Sequence, residues 1–320
     1  MSRPSIPNRG PGWHWSEYWQ SGRTEIMTVD TTGGSVAFDP GSAWPSFYAG
    51  FDDGARVLDL ATGGGQVARL GHAASLAAQR SLDIVGVDYA DLGPSEGEIA
   101  PGLRLQGKVA LERLPFPDGH FDGASSQFGI EYADTRLALG EVARVLRSGG
   151  RARFLVHHAD SAVSRSTAAQ MAAHDRAMPD DSLIQKARRA FTAQLKRMPP
   201  TTIRAAVEGY REALQRAVGR LEPSDDYAPV RSHLDYLSDL AQGLLRYEPA
   251  SALARLEIFE TGVAAWRHRH RNQMKVALDR AGLDGFLHRA AAKGLQTVEA
   301  AGEQDARGAL VAWRVDLRRD

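Results

Sequence analysis

The chain has 320 residues, 43% of them hydrophobic, with 39 basic and 39 acidic side chains and no cysteine. That length and apolar content can bury a full core, enough for one catalytic domain plus an added element. A formal charge of zero excludes a global pull toward nucleic acid or an anionic membrane, and the lack of cysteine excludes disulfides, thiolate zinc sites and a cysteine nucleophile.

In chain order, Met1 to Gly12 is rich in Pro, Gly and Ser and has no apolar signal-peptide core. No run approaches the roughly 18 apolar residues of a membrane span. A cytoplasmic protein without membrane attachment is the expectation. Residues 1–50 form an aromatic-rich segment, with Trp13, Trp15, Tyr18, Trp19, Trp44, Phe47 and Tyr48. It is either a lid over a ligand site, offering rigid apolar contacts, or a segment packed on the domain surface. Gly33-Gly34 marks Thr31 to Ser35 as a loop.

Arg56-Val57-Leu58-Asp59-Leu60 suits a strand buried on both faces of a parallel sheet. Ala61-Thr62-Gly63-Gly64-Gly65 ends it, and the apolar spacing from Gln66 to Arg80 predicts a helix. A strand, a glycine turn and a helix N-terminus bring backbone N–H groups close to a ligand. The next strand, Asp83 to Val87, ends in Asp88, where an acid can accept hydrogen bonds from ribose hydroxyls. Gly63-x-Gly65-x-x-Ala68 also fits the pyrophosphate turn of NAD enzymes. Asp59 breaks the tie: its carboxylate opposes a pyrophosphate but suits the sulfonium and amino group of S-adenosylmethionine.

At these residues the chain resembles the class I S-adenosylmethionine-dependent methyltransferases. Val57 to Gly65 is similar to their first motif, with Ala61 where the first glycine usually stands, and Asp88 matches the ribose-binding acid. Leu114-Pro115-Phe116-Pro117-Asp118-Gly119-His120-Phe121-Asp122 resembles the segment leading into their fourth strand, here Gly123 to Ile130. Glu141 to Gly150 resembles the helix and turn before their fifth, here Arg151 to Val156. The matches keep the family's order over roughly residues 50–160.

The resemblance implies an α/β fold: a Rossmann-like, mostly parallel sheet with its last strand antiparallel, and S-adenosylmethionine as cofactor. It implies Asp59, Ala61, Gly63, Gly65, Asp88, Tyr89, Ala110, Leu111 and Gln127 as cofactor-binding residues. Where the family often has an acid to bind the adenine amino group, Ala110 or Leu111 stands, so their backbone would read the adenine edge. Alanine at 61 cannot take φ > 0 cheaply.

From Ser161 to Arg280 the chain reads helical, which predicts an insert over residues 161–280 between a core at 51–160 and closing strands at 281–320. Thr201 or Thr202 can cap a helix running through Leu221, with Ile203, Val207, Tyr210, Leu214 and Val218 on its buried face. Pro199-Pro200 and Glu222 to Asp226 are the expected joints, and Pro249-Ala250-Ser251 opens a helix toward Gly282. On the carboxyl edge of a parallel sheet such an insert would act as a substrate cap. Leu295 to Glu299 and Ala309 to Leu317, separated by a polar turn, predict a closing hairpin.

Two constellations fall at the ligand edge. Glu131, just after the fourth strand, can orient or deprotonate an acceptor, or be a solvated carboxylate. His157-His158-Ala159-Asp160 follows the fifth strand. Adjacent strand residues face opposite sides, so one histidine at most points into the site, and His158 is preferred as base. No histidine or carboxylate in the motif segments offers a partner for a metal. The basic runs Lys186, Arg188, Arg189, Lys196, Arg197 and Arg267-His268-Arg269-His270-Arg271 can bind a phosphate or a nucleic-acid backbone. Helical spacing spreads each around its axis, which favours solvated, acid-paired surface.

The expected activity is methyl transfer from S-adenosylmethionine to a small organic acceptor, with no nucleic-acid partner, in a protein expected in the cytoplasm. A non-catalytic cofactor-binding or interaction protein and an NAD-dependent oxidoreductase are the alternatives.

Overall fold

The computed structural model describes residues 12–20, 29–30, 35–36, 43–222, 228–243 and 247–320. The expectations for the start of the chain through Pro11, for the loop at 31–34 and for the joint at 223–226 lie outside the described residues. The chain divides into two compact units, a helical one over Ser166–His270 and a core comprising Ser35–Arg165, Arg271–Asp320 and the stretch that carries the first helix.

The core opens with α1 (Trp13–Gln20), a two-stranded antiparallel ribbon of β1 (Val29–Asp30) and β2 (Ser35–Val36), and α2 (Trp44–Ala49). Then come β3 (Arg56–Leu60), α3 (Gln66–Ala77), β4 (Asp83–Val87), β5 (Gly97–Ala100), β6 (Leu103–Gln106), β7 (Phe121–Gln127), α4 (Thr135–Val145) and β8 (Leu146–Val156). Five helices follow: α5 (Ala162–Ala177), α6 (Ser182–Leu195), α7 (Pro200–Gly219), α8 (Ala228–Gln242) and α9 (Pro249–Val276). The chain closes with α10 (Arg280–Ala291), β9 (Leu295–Gln304) and β10 (Leu310–Arg319).

The sheet has eight strands in the order β5-β6-β4-β3-β7-β8-β10-β9. β6, β4, β3, β7 and β8 run parallel, and β5, β10 and β9 pair antiparallel. A mostly parallel sheet with antiparallel closing strands is the expected architecture. Side-chain alternation divides its two faces. Val57, Ile84 and Leu155 pack with aromatics of α1 and α2. Leu58, Val85, Phe154 and Val156 pack with Leu139 and Val142 of α4 and Phe286 of α10.

Local chemistry sets several boundaries. Asp134 caps α4, its Oδ1 accepting from the amides of Arg136 and Leu137 at 2.9 and 3.2 Å. The fourth strand starts two residues before the expected Gly123 and stops at Gln127, because Phe128 takes φ +53° and leaves the extended region. β8 begins at Leu146, pairing with Phe121 before a register shift at Gly123–Arg151, so it absorbs the expected turn. The 200s helix starts on Pro200 with Pro199 as its N-cap, not on a threonine, since proline at the first helical position gives up no hydrogen bond. α9 stops at Val276, short of Gly282, because main-chain groups of Leu278 bond His157 and Ala159 at 2.8 and 2.9 Å.

The helical unit has its own core, including Phe191, Tyr210, Leu214, Leu237, Leu256 and Trp266. The Tyr210 hydroxyl donates to the Leu237 carbonyl at 2.5 Å. Of the expected buried face of α7, Tyr210 and Leu214 are buried, whereas Val218 in the last turn is exposed. Among the described residues no helix is long and apolar enough to cross a membrane.

Candidate active site

β3 delivers the glycine turn to the carboxyl edge of the sheet. Thr62 N–H bonds the Val87 carbonyl at 2.9 Å, tying the turn to the tip of β4. Gly63 and Gly65 take φ of +54° and +84°, a region open to residues without Cβ, and Gly65 forms the N-cap of α3. Ala61 takes φ +52°, so the alanine in the glycine position adopts the strained conformation and not an alternative one.

Asp59 is buried under the turn. Its Oδ2 accepts from Thr62 Oγ1 at 2.6 Å and its Oδ1 from Ser125 Oγ at 2.7 Å. Because Ser125 gives its proton to Asp59, the 2.8 Å contact between Tyr48 and Ser125 runs from the phenol to the serine. Desolvation raises the Asp59 carboxyl to about 6 against these hydrogen bonds. Asp59 therefore clamps β3, the turn and β7, and its field, more than a free oxygen, faces the site.

Asp88 stands at the end of β4, with Oδ2 accepting from Gly63 N–H and Oδ1 from Ala90 N–H, both at 2.8 Å. Burial raises it to about 6. The expected ribose acid and the glycine turn are thus in direct contact. Tyr89 is half exposed, its ring against Gly12 at the start of α1. Ala110 is partly exposed, while the Leu111 side chain is in the core. Gln127 is buried, its Oε1 accepting from Trp44 Nε1 at 2.7 Å, so α2 orients it.

Glu131 is 6% exposed, on a short turn of helix after β7. Its Oε1 accepts the His157 amide at 2.9 Å, while Oε2 is buried with no hydrogen-bond partner among the described residues. Burial lifts this carboxyl to about 7. His157 is 5% exposed, stacked 4.3 Å from the Phe128 ring, with Nε2 3.2 Å from the Tyr132 hydroxyl. Burial pushes it down to about 3, so it is neutral at physiological pH.

The two histidines take opposite faces, as alternation requires. His158 stacks on Trp313 at 4.1 Å, on the side of Phe154 and Val156, and its Nδ1 accepts the Asp160 amide at 2.9 Å. His157, not His158, is the one beside Glu131. Strand alternation puts Leu155 and His157 on one face, but that the aromatics of α1 and α2 pack on this face is seen only in the fold.

α1 supplies the rest of the wall. Trp19 lies on Gly63, where a Cβ would come within 2.3 Å of the indole. Trp15 stacks on Trp19 at 6.3 Å and meets Tyr132 edge-on at 5.8 Å. An aromatic line thus runs from the glycine turn through Trp19, Trp15 and Tyr132 to His157. Ser125 and Tyr132 were not proposed from the sequence as site residues, Trp44 and Tyr48 entered only as part of the aromatic segment and His157 only as the less favoured histidine, because their roles come from contacts between distant segments.

A parallel strand, a left-handed glycine turn, a helix and a buried acid on the next strand define a nucleoside-binding Rossmann-like domain. Residues 58–154 match the family model of a methyltransferase domain. A ubiquinone/menaquinone biosynthesis C-methyltransferase from Geotalea uraniireducens is 40% identical over 33% of this chain and 46% of its own length. A demethylmenaquinone methyltransferase from Thermus thermophilus is 40% identical over 30% of this chain and 44% of its own. The crystal structure of an S-adenosylmethionine-dependent methyltransferase from Mesorhizobium loti aligns over 38% of this chain and 57% of that one, at 25% identity and a TM-score of 0.31. The chain spans about half the length of the curated relatives it matches. Residues 58–154 thus form a domain that resembles the class I S-adenosylmethionine-dependent methyltransferases.

Proposed function

We propose that the protein transfers a methyl group from S-adenosylmethionine to a small organic acceptor. The cofactor-binding elements fit the group. Gly63 and Gly65 form a turn without side chains, and Asp88 is a buried acid whose desolvation is relieved by polar hydrogens. Asp88 would accept from the ribose hydroxyls, the backbone of Ala110 and Leu111 would meet the adenine edge, and the Asp59 field would favour the cationic end.

The cofactor, when bound, supplies a methyl on a cationic sulfur. This chain's residues then have two tasks: aligning the acceptor for in-line displacement, and removing its proton where it carries one. Trp15, Trp19, Phe128 and Tyr132 would wall the site against water. Glu131 is the proposed base. The observation that carries this assignment is its Oε2, buried at the strand edge with no partner among the described residues, and the carboxyl lifted to about 7. A base near neutrality combines a sizeable ionised fraction with real proton affinity.

The relatives' names point to quinone-type acceptors, and an aromatic-walled site agrees with a ring-bearing one. A small-molecule acceptor and no nucleic acid, a cytoplasmic location, and the inserted helices as the acceptor-selecting part all belong to this proposal. Their support is the balanced charge and the chain order. The test is calorimetric titration with S-adenosylmethionine, S-adenosylhomocysteine and NAD, followed by an acceptor screen for S-adenosylhomocysteine release. Binding of NAD alone would replace the proposal with an oxidoreductase; cofactor binding without turnover of any acceptor would leave a binding protein.

A further inference from the structure

Among the described residues, two buried polar atoms at the edge of the site have no hydrogen-bond partner: Glu131 Oε2 and His157 Nδ1. Each belongs to a side chain at least nine-tenths buried. The bond from the His157 amide to Glu131 Oε1 at 2.9 Å joins the two residues that carry them. Leaving one buried polar atom unpaired typically costs about 1–3 kcal/mol, so a pair of them is a poor design for structure alone.

Their chemistry is complementary. The Tyr132 phenol is held well above its ordinary range by burial and by the Glu131 charge, so it keeps its proton and donates to His157 Nε2. With Nε2 accepting, the neutral imidazole carries its hydrogen on Nδ1. One orphan is therefore a donor, Nδ1–H. The other is a carboxylate oxygen, an acceptor.

Resting on the methyl-transfer reading above, we propose that Glu131 and His157 together select an acceptor bearing two adjacent oxygens. One oxygen gives its proton to Glu131 Oε2, and the second accepts from His157 Nδ1–H. In the reaction the O–H proton passes to Glu131 and the oxygen lone pair forms the bond to the methyl carbon. The carbon–sulfur bond breaks with its electron pair staying on sulfur, and S-adenosylhomocysteine leaves. Glu131 then returns its proton to water. Glu131 is the catalytic residue, His157 contacts the substrate, and Tyr132 is a positioning residue that fixes the imidazole tautomer.

The test compares catechol, phenol and aniline by calorimetric titration, with and without S-adenosylhomocysteine, and by turnover with S-adenosylmethionine. Catechol is expected to bind at least tenfold tighter than phenol, and aniline weakest. His157→Phe, which keeps the stacking on Phe128, should bring catechol affinity down to the level of phenol. Tyr132→Phe should weaken catechol binding less and leave the pH profile of turnover in place. Glu131→Gln should lower turnover by about 10²–10⁴-fold while catechol still binds.

Equal binding of catechol and phenol, no binding of either, or a His157→Phe variant that keeps the preference overturns the proposal. A protein that binds no S-adenosylmethionine yet prefers catechol through His157 would lose the methyl-transfer reading and keep the two-oxygen site.

Discussion

Ala61 and Gly129 compete for one space: a Cβ on Gly129 would stand 2.4 Å from the Cβ of Ala61. The alanine enters the turn at φ +52° and pushes its methyl toward the loop after β7, which only a glycine there can accept. The left-handed conformation costs a residue with a Cβ about 1–2 kcal/mol, whereas glycine loses about 0.5–1 kcal/mol more backbone entropy on folding. Ala61→Gly should therefore raise stability by up to about 1.5 kcal/mol on those two terms. Gly129→Ala should lower it by about 1–3 kcal/mol through overpacking. Chemical denaturation midpoints at unchanged slope are the measurement, and a destabilised Ala61→Gly would show that the methyl packs usefully in the loop.

Asp88 offers a sharper handle on the cofactor. Its carboxylate holds the amides of Gly63 and Ala90, and the proposed ribose contacts use the same oxygens. Hydrogen bonds to charged groups contribute about 1.5–3 kcal/mol, so Asp88→Ala should weaken S-adenosylmethionine binding about ten- to a hundredfold. Calorimetry is the direct measurement, with the variant's fold checked by circular dichroism. An unchanged dissociation constant would remove Asp88 from the binding site.

Glu131 predicts a pH profile. With its carboxyl lifted to about 7 by burial, the basic form grows as pH rises, so kcat/KM should climb through about pH 7 and level off above it. Glu131→Gln should remove that limb and lower kcat by about 10²–10⁴-fold, the usual contribution of general-base catalysis. A rise that persists in the glutamine variant would move the titration to another group.

What could be read in the sequence divides by distance along the chain. The run from Arg56 to Leu60, its glycine turn and the strand ending in Asp88 were legible because each is a local pattern, and β3 and β4 have the expected bounds. The partners of Asp59 were not. Ser125 lies 66 residues away, and Tyr48, which bonds Ser125, is 77 residues from it. The choice between His157 and His158 needed the sheet's facing. Which face carries the α1 aromatics is a tertiary fact that strand alternation constrains without deciding. The end of α9 likewise depends on Leu278 bonding the main chain beside His157, which no helix-stop residue announces.

The helical unit should respond to acid through its histidines. His270 is 1% exposed, its Nδ1–H donating to the Trp266 carbonyl at 2.9 Å, with His174 and His233 near Trp266. Burial pushes both His270 and His233 down from 6.5 to about 4. Between those pH values the unfolded chain binds protons that the folded one does not, so these groups add stability as pH rises from about 4 to about 6.5, and no more above it. Asp59 and Asp88 work the other way in the core. Raised from 3.8 to about 6, they make the folded state the better proton binder, so their contribution falls as pH rises through that range. A whole-protein melt would blend the two slopes, and a substitution separates them. The stability of the wild type relative to His270→Phe should increase by at most about 3 kcal/mol between pH 4 and 6.5 and then stay flat, read from denaturant titrations at each pH. A difference that does not change with pH would mean that His270 carries its ordinary proton affinity in the folded unit.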